Sequence, residues 1–268
     1  MKTKFIIILF FIFSISIAQK INQHIIKVVY DEYRTFSPAI INFDIGTLMS
    51  NTDQSYYSSV PTSKIRNGEA ADATKISINS EGAGKSEVIL NKKLNKLIER
   101  KKEHKILKKN FAITESIPKM RWKYLPDLKK INSFVCKKAT TTFRGRIYEV
   151  WYTEKIPFSA GPWKFNGLPG LILAAKDIEN VFRWEVKSIE LPYAIDFSKL
   201  DELMIDPLNY EKISFQEFDK KYINAINDKI SNISTRNSSR DGGQFNFAYS
   251  TSNDREPFNE YRYETYFQ

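Results

Sequence analysis

The stretch that decides the fold lies at residues 161–173 and reads GPWKFNGLPGLIL. Its glycines and prolines frame two aromatic side chains and lead into an aliphatic run. Because proline fixes its own φ and glycine reaches backbone angles that other residues avoid, this spacing specifies one backbone path. Residues 168–171 fit a type II turn with Pro169 second and Gly170 third, which requires a positive φ at Gly170.

The same stretch carries a family signature. Residues 167–172 spell GLPGLI, and related motifs stand at 136–139 (CKKA), 143–146 (FRGR), 150–153 (VWYT) and 156–157 (IP). On these motifs the chain resembles the GLPGLI family of secreted Bacteroidetes proteins. It is also similar to the bowl-like, β-rich N-terminal domain of some bacterial peptide-N-glycanases. That resemblance implies an accessory module, because the glycanase chemistry belongs to other domains of those enzymes.

Two sets of residues follow from the motif. We assign a structural role, holding a corner of the sheet in shape, to Gly161, Pro162, Gly167, Leu168, Pro169, Gly170, Leu171 and Ile172. Candidate ligand-binding residues are Trp163, Phe165, Trp151 and Tyr152, whose rings are suited to stack on a sugar ring or a peptide side chain. The alternative is that these rings fill the core where the loop closes over the sheet.

The chain divides into three expected segments. Residues 1–18 have a charged start, an apolar stretch and small residues before Ala18, which is typical of a cleaved signal peptide. The apolar run is shorter than the roughly 20 residues of a membrane-spanning helix, so we expect no integral membrane protein after cleavage. Residues 19–231 form the β-rich domain, and 232–268 form a polar, then aromatic, tail. The expected location is the periplasm or the exterior.

The chain has a formal net charge of +10, and nine Lys or Arg residues lie between 92 and 109. Such a run is usually a solvated face, and otherwise binds anionic partners. For an exported protein an anionic glycan or an outer-membrane surface fits better than nucleic acid, which we exclude as a partner.

Few residues are available for chemistry. Cys136 is the only cysteine and reads as a buried structural thiol, and the two histidines, His24 and His104, are too far apart for a zinc signature. We expect no metal and no cofactor, and no G-x-S-x-G, P-loop or Rossmann motif occurs. Carboxylates near the motif, such as Glu149, Glu154 and Glu185, are too numerous for a catalytic pair to be named.

The predicted fold is mainly β, an antiparallel sheet or bowl-like half-barrel. Strands are expected over 24–36, in short pieces within 110–124, and over 134–153, with Gly145 at a bulge or turn. Residues 171–175 and 182–186 predict an antiparallel hairpin. Residues 51–87 read as loops with one or two short edge strands. Over 86–110 the leucine spacing favours a helix, whereas the family resemblance implies strands and a turn.

One late amphipathic helix is expected outside the sheet. Ser214 and Glu217 form a capping box. The apolar face consists of Phe215, Phe218, Tyr222, Ile226 and Ile230.

The leading hypothesis is an exported, non-catalytic binding or accessory module whose partner is a glycan, a peptide or an outer-membrane protein. The alternative is a secreted hydrolase acting on glycans or peptides. The absence of histidine from the family-like region 111–190 favours the first.

Overall fold

The computed structural model describes residues 25–37, 40–65, 86–104, 106–195, 201–203, 205, 209–225 and 227–228. The expected signal segment 1–18 and tail 232–268 lie outside them. The strands are β1 Ile26–Ser37, β2 Ile40–Ser50, β3 Gln54–Ile65, β4 Ser86–Asn91, β5 Lys96–Lys101, β6 Phe111–Ser116, β7 Lys123–Ile131, β8 Phe134–Phe143, β9 Arg146–Thr153, β10 Leu171–Asp177, β11 Phe182–Glu190 and β12 Glu211–Ser214.

All twelve strands belong to one sheet, in the order β12-β6-β5-β4-β3-β2-β1-β11-β10-β9-β8-β7. Neighbouring strands are antiparallel except β12 and β6. The sheet is not closed into a barrel. The predicted mainly β, antiparallel fold is therefore confirmed.

The sheet curls strongly on itself. Arg144, in the turn between β8 and β9, forms an ion pair with Glu115 near the end of β6, although seven strands lie between β6 and β9 in the sheet. We call the face inside this curl the inner face; it carries Leu48, Tyr57 and Leu97.

Two hairpins confirm the clearest sequence patterns. β10 and β11 pair antiparallel, and β11 alternates buried Phe182 and Trp184 with exposed residues. The β8–β9 hairpin closes through Arg144 and Gly145, with φ of 51° and 78°. Positive φ at both positions of a two-residue loop matches the twist of the flanking strands.

The expectation of loops over 51–87 is wrong for its described part. β3 is a long strand hydrogen-bonded on both sides, to β2 and to β4. Its serines suggest a loop in isolation, yet Ser55, Ser58 and Ser59 are buried in the sheet. Cross-strand pairing overrides the composition of the segment, because β-propensity depends on context.

The helix favoured by leucine spacing over 86–110 is also wrong. β4 and β5 form an antiparallel hairpin in which Leu90 lies opposite Leu97 and Ile89 opposite Ile98. The apolar residues that resemble one helical stripe therefore belong to two strands. The family resemblance gave the correct interpretation here.

The late helix begins at residue 215 and includes 215–225 and 227–228. The capping box is confirmed: the Glu217 amide donates to Ser214 Oγ at 3.2 Å, and the Ser214 amide donates to Glu217 Oε2 at 3.1 Å. Phe215 and Phe218 are buried against Phe111 of β6. The predicted face residues Ile226 and Ile230 lie outside the described residues.

His104 closes the same aromatic cluster. Its ring stands edge-on to Phe218 and Tyr222, with centroids 5.4 and 5.2 Å away. Burial, and secondarily the positive charge of Lys101, lowers the pKa of His104 to about 4. The ring is therefore neutral at physiological pH and acts as part of the packing.

Candidate functional site

Residues 154–170, which we call the motif loop, connect β9 to β10 and pack against the inner face. Backbone hydrogen bonds fix the path: Leu171 N donates to Ile156 O and Ile172 N to Ala160 O, both at 3.0 Å. Positive φ occurs at Trp163 (54°) and Gly167 (89°) but not at Gly170. The predicted type II turn at 168–171 is therefore wrong.

Glycine is required at positions 170 and 161 for a different reason: other atoms of the chain lie where a Cβ would stand. A Cβ at Gly170 would lie 2.1 Å from the backbone oxygen of Thr153, and one at Gly161 would lie 2.8 Å from Ile172 Cδ1. Of the residues assigned a structural role, the buried ones are Gly161, Pro162, Leu168, Gly170, Leu171 and Ile172, and the exposed ones are Gly167 and Pro169.

The motif rings fill the interior of the curl. Trp163 stacks on Trp184 of β11 at a centroid distance of 6.2 Å and an interplanar angle of 5°, and Phe165 meets Trp184 and Tyr148 edge-on. Trp163 and Phe165 are 2% and 1% exposed. The two rings therefore belong to the core in this conformation.

The four candidate ligand-binding residues do not come together on one surface. Tyr152 is buried near the rim of the inner face, 6.3 Å from Tyr124. Trp151, its neighbour in β9, is half-buried on the opposite face, as successive residues of a strand must be. A role for each ring in ligand binding stays a prediction.

A buried charge cluster ties the motif loop to the sheet. Lys164 is fully buried, and its Nζ lies 2.9 Å from Glu99 Oε2 of β5 and 3.2 Å from Glu115 Oε1 of β6. Lys101 pairs with Glu99 at 2.7 Å, and Arg144 pairs with Glu115. Each buried carboxylate therefore contacts two cations.

Phe215 of the late helix covers this cluster. Its ring centroid is 4.1 Å from the guanidinium carbon of Arg144 and 5.4 Å from Lys164 Nζ. Both distances suit cation–π attraction, which is stronger away from water. The loop, the two ends of the sheet and the helix meet at this point.

Arg100 shows that the basic run at 92–109 is only partly a solvated face. Its guanidinium is buried, donates to Leu203 O at 2.8 Å and lies 3.6 Å from Glu87. The exposed members of the run are Lys93, Lys96, Lys102, Lys108 and Lys109. Cys136 is buried as predicted, and burial raises the pKa of its thiol.

A second group of polar side chains lies on the inner face, beside Trp184 and away from the motif loop. We call it the inner polar site. Its members are Glu32 and Arg34 of β1, Asn42 and Asp44 of β2, and Tyr57 and Ser59 of β3. Glu32 lies directly opposite Asp44, and Arg34 opposite Asn42, in the β1–β2 register.

The inner polar site has a buried floor and a half-buried rim. Tyr57 Oη donates to Glu32 Oε2 at 2.7 Å, and both residues are 1% exposed. Arg34, Asn42 and Asp44 are half-buried above them. The side-chain oxygen of Asn42 accepts no hydrogen bond within the described part of the chain, although it is buried. A buried acceptor of this kind is normally satisfied, so the rim is suited to a donor from outside.

Gly46 makes the floor possible. It lies opposite Tyr30 in β1 and Ser59 in β3, and a Cβ there would stand 2.1 Å from Tyr57 Oη. The missing side chain lets the Tyr57 ring cross the strand and reach Glu32. Burial raises the pKa of Tyr57 well above its ordinary value, so the phenol remains a hydrogen-bond donor.

Asp44 is held in an unfavourable state for a carboxylate. Burial raises its pKa, and the opposing effects of Arg34 and a hydrogen bond with Ser59 do not cancel the rise. Sequence reasoning missed the inner polar site because it searched for acids near the motif. The available signal was a carboxylate inside an apolar strand pattern, as at Glu32 between Tyr30 and Tyr33.

Other site types find little support in the described ranges. No group of three or more His, Cys, Asp or Glu side chains there is arranged to hold a metal ion. No helix in that part of the chain has the length and apolarity needed to span a membrane. The acids near the motif form ion pairs: Glu154 with exposed Lys137 at 2.8 Å, Glu149 with half-buried Lys138 at 2.9 Å, and Glu185 with Arg183 at 3.7 Å.

Comparison with known proteins gives a family match over a short segment. Residues 142–174, from the end of β8 into β10, match the model of a family described as a protein of unknown function (Porph_ging). No curated protein matches.

Two crystal forms of PNGF-II, a peptide N-glycanase, are similar in structure. The P21 form matches with a TM-score of 0.47 and 16% sequence identity, and the alignment covers 74% of this chain and 32% of the PNGF-II chain. The C2 form matches with a TM-score of 0.46 and 17% sequence identity, and the alignment covers 71% of this chain and 31% of the PNGF-II chain. The chain thus spans about a third of the length of PNGF-II.

Gly170→Ala should destabilise the protein more than Gly167→Ala. The Gly170 methyl meets backbone that has no room to move, at a cost of about 3 kcal/mol. At Gly167 an added Cβ would make ordinary contact with Trp122, 3.4 Å from Nε1, and only the positive φ is unfavourable, at about 1 kcal/mol. Chemical unfolding of both variants measures the difference, and the reverse order would contradict the close approach of Gly170 to Thr153.

Lys164→Met should lower the free energy of unfolding by about 3–5 kcal/mol, because two buried carboxylates lose a shared cation. Lys137→Met is the matched control. Lys137 makes two hydrogen bonds to Glu154, at 2.9 and 2.8 Å, but both side chains are exposed. Exposed pairs contribute about 1 kcal/mol or less. Equal losses in the two variants would contradict the central role of Lys164.

Asp44→Asn should stabilise the protein increasingly as pH rises. The raised pKa of Asp44 means that the native state binds its proton more tightly than the unfolded state does. The associated stability is present below the unfolded pKa near 3.8 and is lost as pH rises through the folded pKa. Denaturant unfolding at pH 3.5 and 7 tests this, with exposed Asp127→Asn as the control. An advantage of Asp44→Asn that shrinks towards neutral pH would contradict it.

Proposed function

We propose that this protein is an exported binding module that holds a neutral glycan or a peptide at the inner polar site. The observation that carries the proposal is the row of half-buried Arg34, Asn42 and Asp44 above a hydrogen-bonded floor. A guanidinium, an amide and a carboxylate together offer fixed donors and acceptors, as polyhydroxylated ligands and peptide backbones require.

The energetics of Asp44 support a binding role. A carboxylate whose pKa burial has raised weakens the fold at neutral pH, and such groups concentrate at functional sites. The fold would be more stable with an uncharged side chain at this position. A ligand hydroxyl or amide that donates to Asp44 would compensate for the lost hydration.

A hydrolase acting on glycans or peptides is the second candidate, and the Glu32–Asp44 register favours it. Residues directly opposite in an antiparallel pair have Cβ atoms about 4.5–5.5 Å apart, and retaining glycosidases hold two carboxylates about 5 Å apart. Against this, Glu32 is 1% exposed and engaged by Tyr57. Hydrolysis needs both carboxylates at the scissile bond, so binding is the better supported function.

Export forms part of the proposal and has its own test. N-terminal sequencing of the protein from the periplasm and medium of the native cell should begin at Gln19. An uncleaved chain retained in the cytoplasm would contradict it.

Binding should depend on the rim of the inner polar site. The purified chain is screened on immobilised neutral and anionic oligosaccharides and on peptides, and each hit is titrated by calorimetry. Asp44→Asn and Asn42→Ala should each weaken binding about tenfold or more, because a hydrogen bond to a charged or buried group is lost. Asp127→Asn, on exposed β7, should leave the affinity unchanged.

Mass spectrometry of the same ligands after incubation separates the two functions. A binding module returns the ligand intact. Release of product that Glu32→Gln and Asp44→Asn both abolish, while binding persists, would establish the hydrolase. Affinity that none of the rim variants alters would refute the assignment of the site.

A further inference from the structure

β7 is the long open edge of the sheet. It pairs only with β8, and no strand in the described ranges lies on its outer side. The opposite edge, β12, has four residues and leads directly into the late helix. Most β7 side chains are exposed in the part of the chain that the structure describes. An open strand edge of this length is a template for another strand.

Apolar side chains line the inner side of this edge. Leu128 and Tyr124 of β7 are 66% and 58% exposed, and Val135 of β8 is 58% exposed. The register places Tyr124 opposite Ala139, and Leu128 opposite Lys137, whose β9 partner is Tyr152. The three exposed residues therefore share the face that carries Tyr152, at the rim of the curl.

Positive charge lies on both sides of the same edge, because exposed Lys130 stands opposite Val135 on the inner side, while two further lysines lie on the outer side. Lys123 and Lys129 alternate with Tyr124 and Leu128 and therefore point to the opposite face. Lys129 Nζ lies 5.8 Å from the Trp151 ring, which is on that face. Asp127 is the only acid in β7. The exposed side chains of the edge are thus cationic on the outer side, and apolar with one lysine, Lys130, on the inner side.

The charge of the edge indicates which kind of strand could pair with it. Lysines on an edge strand oppose pairing with a second copy, because two such edges bring like charges together. They favour an acidic partner, since complementary charge raises association rates and rejects wrong partners. A strand whose acidic residues face Lys123 and Lys129 and whose apolar residues face Tyr124 and Leu128 would fit both sides, and Lys130 adds to the attraction for acidic residues.

We propose that β7 binds an extended, acidic and apolar segment of another protein by strand addition. Apolar side chains of the segment pack on Tyr124, Leu128 and Val135, and its carboxylates face Lys123 and Lys129. Pro126 lacks an N–H, and the register shifts between Leu125 and Leu128. Pairing therefore occurs on either side of this irregularity, along 123–125 and 128–131. The surface is distinct from the inner polar site.

The probe is a blocked, fluorescent ten-residue peptide of alternating Glu and Val, titrated against the full chain by anisotropy. We expect saturable binding that weakens about tenfold in Lys123→Glu/Lys129→Glu and falls with added salt. A peptide of alternating Lys and Val should not bind. The Glu–Val peptide N-methylated at alternate residues should lose binding too, because it cannot pair as a strand.

Lys102→Glu/Lys108→Glu is the matched control, since both lysines are exposed in the β5–β6 connection, whose strands pair with neither β7 nor β8. It should leave the affinity within about twofold. Four results would overturn the proposal: no saturable binding up to about 1 mM, undiminished binding of the N-methylated peptide, equal weakening by the control variant, or a dimer in sedimentation that Leu128→Glu dissolves.

Discussion

The structure depends on the burial of one lysine ammonium. Lys164 is fully buried between aromatic residues of the motif loop, where an unpaired cation would cost several kcal/mol. It is stable there only because Glu99 and Glu115 arrive from β5 and β6. Those strands lie near the opposite end of the sheet from β9 and β10, which carry the loop. Satisfying the charge therefore requires the sheet to curl, and the curl encloses the motif rings.

The curl also determines where the inner face is available. Trp163 and Phe165 pack on Trp184, so the motif loop covers the inner face of β9, β10 and β11. The inner face of β1 and β2 is apolar at Val28 and Leu48 and becomes polar further along the two strands, from the Glu32–Asp44 pair onwards. Glu32, directly opposite Trp184, stands where the packed interior meets the inner polar site. The loop supports the site without contributing a side chain to the rim.

Features that depend on residues close together in the sequence could be predicted from the sequence. The alternation in β11, the capping box at Ser214 and the burial of Cys136 follow from residues a few positions apart, and each was predictable. The β4–β5 hairpin was not, because Leu90 and Leu97 fit a helix and a hairpin equally well. The prediction for Gly170 was wrong for a different reason. The residue must be glycine because the backbone of Thr153 lies against it, and the residues of a four-residue turn do not include Thr153. The partners of Lys164 were beyond reach, since Glu115 is 49 residues away. A lysine between Trp163 and Phe165, however, was itself a sign of a buried and compensated charge.

Two pairs of carboxylates in this protein have opposite electrostatic environments. Glu99 and Glu115 each contact two cations, so their burial contributes to the fold. Asp44 lies opposite a second carboxylate, and the nearby guanidinium does not prevent its pKa from rising. Gly46 is the next residue on the same face of β2. Because it has no side chain, Tyr57 has room to donate its hydrogen bond to Glu32. The raised pKa of Asp44 and the glycine beside it both lower the stability of β2 at neutral pH. That contrast separates the motif loop, which holds the curl together, from the inner polar site, where we propose that a ligand binds.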